Sequence, residues 1–124
     1  MRLFDLCYKG EVHKIQLDVS FYEVNGNLAI RMIECENGMP AEPWSTLTIN
    51  TGIKCRQYCA YIDVDKNGKE ILAWIEDNRL AVPTGNSIAG YPEYRFNSEL
   101  LREIMLEDYI QGHMHLSKSF STGA

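Results

Sequence analysis

No stretch of this chain approaches the ~20 consecutive apolar residues of a membrane-spanning helix, which excludes a helical membrane protein. Basic residues are few beside acidic ones, 12 against 17, and the formal charge is −5. A balance of that sign does not draw DNA, RNA or anionic lipid, which need clustered Lys and Arg. No direct nucleic-acid or membrane partner is expected, whereas a basic protein partner suits the charge. The four cysteines, Cys7, Cys35, Cys55 and Cys59, form no CxxC pair and have no close histidine, which argues against zinc and for buried thiols. Met1-Arg2-Leu3-Phe4 meets Asp5 at once without an apolar h-region, which points to the cytoplasm. No G-x-S-x-G elbow is present, and Thr84-Gly85-Asn86-Ser87 lacks the lysine and the following helix of a phosphate loop. No catalytic residue and no cofactor are assigned.

What is there reads as one ordinary domain of 124 residues, 45% apolar and 23% charged. Residues 1–112 are expected to form a single α+β domain and 113–124 a flexible tail. Arg2 to Tyr8 suggests a short strand. His13 to Phe21 alternates strictly, with Ile15, Leu17, Val19 and Phe21 on one side, the period of a half-solvated antiparallel strand. Asn25-Gly26-Asn27 marks a hairpin turn into Leu28–Ile33. Asn37-Gly38 and two prolines then predict a turn or loop before a third alternating segment, Trp44 to Asn50.

Tyr58 to Ile62 is the next strand, broken by Asp63-Val64-Asp65-Lys66-Asn67-Gly68. A helix over roughly Lys69 to Leu80 follows, with Asn67 as its cap and Glu70 completing a capping box. Pro83-Thr84-Gly85 and Gly90-Tyr91-Pro92 read as two turns, and Tyr94 to Phe96 as a return strand. A second helix spans Ser98 to Gln111, capped by Asn97 or Ser98 and stopped by Gly112. The sum is an α+β fold: an antiparallel sheet of about five strands with two helices packed on it. Its expected core is Leu17, Val19, Leu28, Ile30, Leu47, Ile49, Ile62, Leu72, Ile75, Leu101 and Ile104.

Asp63, Asp65 and Asn67 with Gly68 match the opening of a calcium loop. Position 12, which should be a bidentate glutamate, is Trp74, so no metal is assigned and the turn is read as structural. His113 and His115 share a side in an extended segment but find no third ligand. Tyr91 and Tyr94, with Phe96 and Tyr109, offer an aromatic contact surface or act as anchors. Glu99, Glu103 and Glu107 fall four apart, one stripe of a helix that Asp108 widens, and are candidates for binding a basic partner.

The succession Gly26-Asn27-Leu28-Ala29-Ile30, Ala41-Glu42-Pro43-Trp44-Ser45-Thr46-Leu47-Thr48-Ile49-Asn50, Ala60-Tyr61-Ile62-Asp63, Pro83-Thr84-Gly85 and Tyr91-Pro92-Glu93-Tyr94-Arg95-Phe96 resembles the small bacterial proteins grouped as domain of unknown function 4313. The resemblance implies an accessory protein of a mobile genetic element and assigns no functional residue. Two expectations follow. One is a non-enzymatic protein-binding protein, such as an anti-CRISPR-like inhibitor of a host defence nuclease. The alternative is a small enzyme or ligand-binding domain using the Asp63 turn and the Pro83 to Pro92 loop.

Overall fold

The computed structural model describes the backbone of residues 2–115 and every side chain in that range except those of Asp108 and residues 111–115. Strands β1 (Phe4–Tyr8), β2 (Glu11–Phe21), β3 (Leu28–Glu36) and β4 (Met39–Thr46) form one antiparallel sheet in that order. A second antiparallel sheet contains β5 (Thr48–Ile49), β6 (Cys59–Ile62), β7 (Ala81–Ile88) and β8 (Tyr91–Phe96), ordered β5-β6-β8-β7. Helices α1 (Val64–Asn67) and α2 (Glu70–Asp77) separate β6 from β7, and α3 (Ser98–His115) ends the described chain. The α+β class is as expected, but among the described residues eight strands in two sheets replace one sheet of about five, and three helices replace two. No helix among the described residues is long and apolar enough to cross a membrane.

The difference lies mainly in proline-bearing segments. Asn37 and Gly38 both take positive φ, 53° and 77°, the two-residue turn whose twist matches that of the strands it joins. The chain therefore re-enters the sheet at once, and Met39–Thr46 pairs with β3 through both Pro40 and Pro43. Proline lacks an N–H, but β4 is an edge strand, where that donor is dispensable. Likewise Pro83 to Ile88 is not a loop: β7 pairs with β8 on both sides of a shift between Pro83 and Ser87.

The expected strand Trp44 to Asn50 is divided between the two sheets. Its pivot is Leu47, whose N–H donates to the Ile30 carbonyl in β3 (2.8 Å) and whose carbonyl accepts from Asp63 N–H after β6 (2.9 Å). Thr48 Oγ1 accepts from Ile30 N–H at 3.1 Å in the same buried corner. One apolar cluster fills the space between, drawing Ile15, Leu17, Ile30 and Met32 from the first sheet and Ile62, Ala81, Tyr94 and Phe96 from the second. Ile75 of α2 and Leu101 and Ile104 of α3 complete it. Of the expected core, Ile49 and Leu72 are only half-buried. Phe21, at the strand end beyond the cluster, is 45% exposed.

The Asn25-Gly26-Asn27 turn belongs to a longer loop, since Phe21 pairs with Leu28. Buried Asn27 holds it to the 50–55 segment, donating to Ile53 O (2.8 Å) and accepting from Cys55 N–H (2.9 Å). Asn97 caps α3, its Oδ1 accepting from Glu99 and Leu100 N–H. Helical pairing continues past Gly112 to His115, because a single glycine costs only about 1 kcal/mol in a helix. Residues 116–124, most of the expected tail, lie outside the described residues.

Candidate functional site

The first sheet is curled. In a flat sheet β1 and β4, three spacings apart, would be separated by about 14 Å, with side chains standing perpendicular to the sheet. Yet Tyr8 of β1 and Trp44 of β4 meet edge to face, ring centroids 5.5 Å apart and planes at 87°. Two register shifts in the β3–β4 pairing supply the bend: Ser45 pairs with Met32 and Pro43 with Ile33, leaving Trp44 as an extra residue, and Ala41 is likewise skipped. A bulge both bends its strand and re-aims the inserted side chain.

His13 lies between, its ring 4.6 Å from that of Trp44 and 6.5 Å from that of Tyr8. Its Nδ1 is 2.6 Å from Glu34 Oε2. An ionised carboxylate only accepts, so Nδ1 carries the hydrogen. Glu11 Oε1 is 3.9 Å from Nε2.

Between the two sheet edges and the helices opens a groove of about 1230 Å³. Tyr8 and Trp44 give it most of its apolar surface, over the buried Leu6, Ile71 and Trp74, while Glu42, Glu70, Asp77 and Lys66 give it charge. Helices α1 and α2 are each tied to one edge by a side chain that bonds strand backbone. Asn67 Nδ2 donates to the Thr46 carbonyl of β4 (3.0 Å), and Trp74 Nε1 to the Asp5 carbonyl of β1 (2.7 Å). Phe4 meets the Trp74 ring edge-on at 6.3 Å. Among the described residues, neither β1 nor β4 has a strand on its outer side.

The Asp63 turn is used internally. Asp63, not Asn67, caps the first helix, its Oδ1 accepting from Lys66 N–H at 3.0 Å. Asn67 turns its amide N–H groups to the Thr46 and Asp63 carbonyls. Asp65 Oδ2 accepts from the Tyr91 hydroxyl at 2.7 Å, which pushes Tyr91 up. The expected cap and capping box at Asn67 and Glu70 are not formed; Lys69 stands at the N-cap of α2 and makes no side-chain cap bond. Among the described residues no group of three or more His, Cys, Asp or Glu is arranged to hold a metal.

The Pro83 to Pro92 hairpin carries a second polar cluster that sequence reasoning did not single out. Opposite the bulged Thr84-Gly85-Asn86, Glu93 is only 4% exposed. Its Oε1 accepts from Thr84 Oγ1 (2.7 Å), Arg56 Nη2 (3.0 Å) and Asn86 Nδ2 (3.1 Å). Burial pushes the Glu93 carboxyl up, but these bonds and the guanidinium charge outweigh it and hold the group below the usual range. Burial first, then the Glu93 charge, pushes up Cys55, Cys59 and Tyr61. The cluster fastens the bulge and the 56 region to the second sheet, and its carboxylate is ionised at neutral pH.

The remaining sequence candidates do not converge. Tyr94 is buried and donates to Glu76 Oε2 at 2.5 Å, an anchor rather than a contact surface. Tyr91 is half-buried at the far end of the second sheet. On α3, Glu99 and Glu103 are exposed, Glu103 lying 3.4 Å from Arg2, and Glu107 is half-buried. The Asp108, His113 and His115 side chains lie outside the described residues. Tyr8, His13, Glu34 and Trp44 went unread because nothing local announces that the first and fourth strands meet; the one signal was a tryptophan beside an edge proline.

No curated protein and no solved structure matches the chain. A family model does, over residues 16–117, a span that takes in β3 to β8, most of β2 and all three helices. The protein belongs to the family described as domain of unknown function DUF4313.

Proposed function

We propose that the chain is a non-enzymatic protein-binding protein whose groove takes an extended segment of its partner. The observation that carries this reading is the groove itself: two strand edges that have no outer strand among the described residues border an apolar surface that carries aromatic rings. An extended segment gains main-chain hydrogen bonds from such an edge and side-chain pockets from such a surface. The β1 edge is the better template, because Pro40 and Pro43 deprive β4 of donors. The finer reading is a cytoplasmic accessory protein of a bacterial mobile element that blocks a host defence nuclease, as anti-CRISPR proteins do. It is supported by the family resemblance, the small size and the charge of −5.

A photo-crosslinking residue placed at Ser45, in the groove, is expected to trap a partner from host lysate. The same residue at Val24, which is 82% exposed on a distant loop, is expected to trap none. Trapping from Glu99 or Glu103 alone would move the binding surface to the α3 stripe and overturn the groove reading.

A further inference from the structure

We propose that the Tyr8–Trp44 corner is a subsite for a cationic side-chain head, a lysine ammonium or an arginine guanidinium, carried by the segment that occupies the groove; this rests on the groove reading above. Perpendicular rings give a corner with negative π faces, the arrangement that attracts a cation within about 6 Å of a ring centroid. Tyr8 is half exposed, so its ring is open to a visitor. The chain already sets a cation of its own on one of these rings: Lys9 Nζ lies 5.3 Å from the Tyr8 ring centroid.

The charges beside the corner favour the same ligand. Glu34, bonded to His13 beneath the rings, stands directly opposite Glu42 in the β3–β4 register. Like charges directly opposite one another destabilise a sheet, and a bound cation relieves them. Neither Glu42 nor Glu34 is paired with a lysine or arginine among the described residues. Of the other cations lining the groove, Arg31 is engaged by Asp18 and Lys66 stands on the helix side. Lys9 is exposed and sits in a two-residue turn, so it leaves at little cost when another cation arrives.

Small probes test the subsite directly. In the full chain, n-butylammonium and methylguanidinium chloride, titrated at constant ionic strength, are expected to shift the Trp44 indole N–H resonance saturably. Neutral butyramide is expected not to. The stronger of the two cations identifies lysine or arginine as the favoured head. Tyr8→Leu is expected to weaken binding about two- to fivefold, with the Trp74 resonance reporting an intact fold. Lys9→Gln is expected to tighten it by removing the resident competitor. No saturable shift, an equal shift with butyramide, or weaker binding in Lys9→Gln would overturn the proposal. Groove cross-links without a cation response remove the subsite and leave the groove reading standing; a cation response without groove cross-links does the opposite.

Discussion

Tyr8 and Trp44 stand on the two outermost strands of one sheet, yet their rings touch at 5.5 Å. The contact clamps the groove at one end. A double-mutant cycle of Tyr8→Ala and Trp44→Ala, followed by chemical denaturation, should give a coupling of about 0.5 to 1.5 kcal/mol, the range for aromatic pairs. Strictly additive losses would mean that the rings do not hold the edges together.

Ile75 is 0% exposed on α2. Truncation to alanine should cost about 2 to 5 kcal/mol, read from the denaturation midpoint. A loss below about 1 kcal/mol would place α2 outside the cooperative core.

For the Asp63 turn, Asp63→Ala should cost about 1 kcal/mol through loss of the helix cap. Millimolar calcium should leave the melting temperature of the unaltered chain unchanged, since a ligand held only by the folded state must raise it. A rise that chelator reverses would return the loop to a metal role.

Tyr94 is pushed up to about 12, first by burial and then by its bond to Glu76. An unfolded tyrosine ionises near 10. The folded state therefore keeps a proton that the unfolded state has lost, and this stabilisation, complete below pH ~10, disappears as pH climbs through about 12. Tyr94→Phe should flatten the fall in melting temperature across that window. Parallel alkaline limbs in the two proteins would refute the assignment.

Glu93 behaves in the opposite sense. Its folded carboxyl lies below the usual range, so its stabilisation is present above the unfolded value of about 4.3 and is lost as pH falls through the folded value. Glu93→Gln should lower stability at neutral pH by about 1 to 2 kcal/mol, the Arg56 bond adding little because that side chain is 67% exposed. The variant should also lose part of the acid limb; an unaltered acid limb would show that Glu93 does not titrate with folding.

The alternation of Ile15, Leu17 and Val19 and the stripe of Leu100, Leu101 and Ile104 were legible because burial on one face imposes a period on the sequence itself. Met39–Thr46 and Ala81–Ile88 were not, because proline and glycine signal turns locally while an edge strand or a bulge tolerates them. The helix cap was misplaced by one short turn, since Asp63 and Asn67 are both good caps and only the packing of Asn67 against Thr46 decides between them. The groove was illegible for a different reason. Tyr8, His13, Glu34 and Trp44 lie on four strands, and their meeting depends on curvature set by bulges that leave no pattern in hydrophobicity.

Leu47 donates its N–H to one sheet, and its carbonyl accepts an N–H from the other. Neither sheet can melt without breaking a bond that the other relies on, so the two should open as one foldon. In native-state hydrogen exchange the amides of Leu47 and Asp63 should then exchange only through global unfolding, with the same denaturant slope as the centres of β3 and β6.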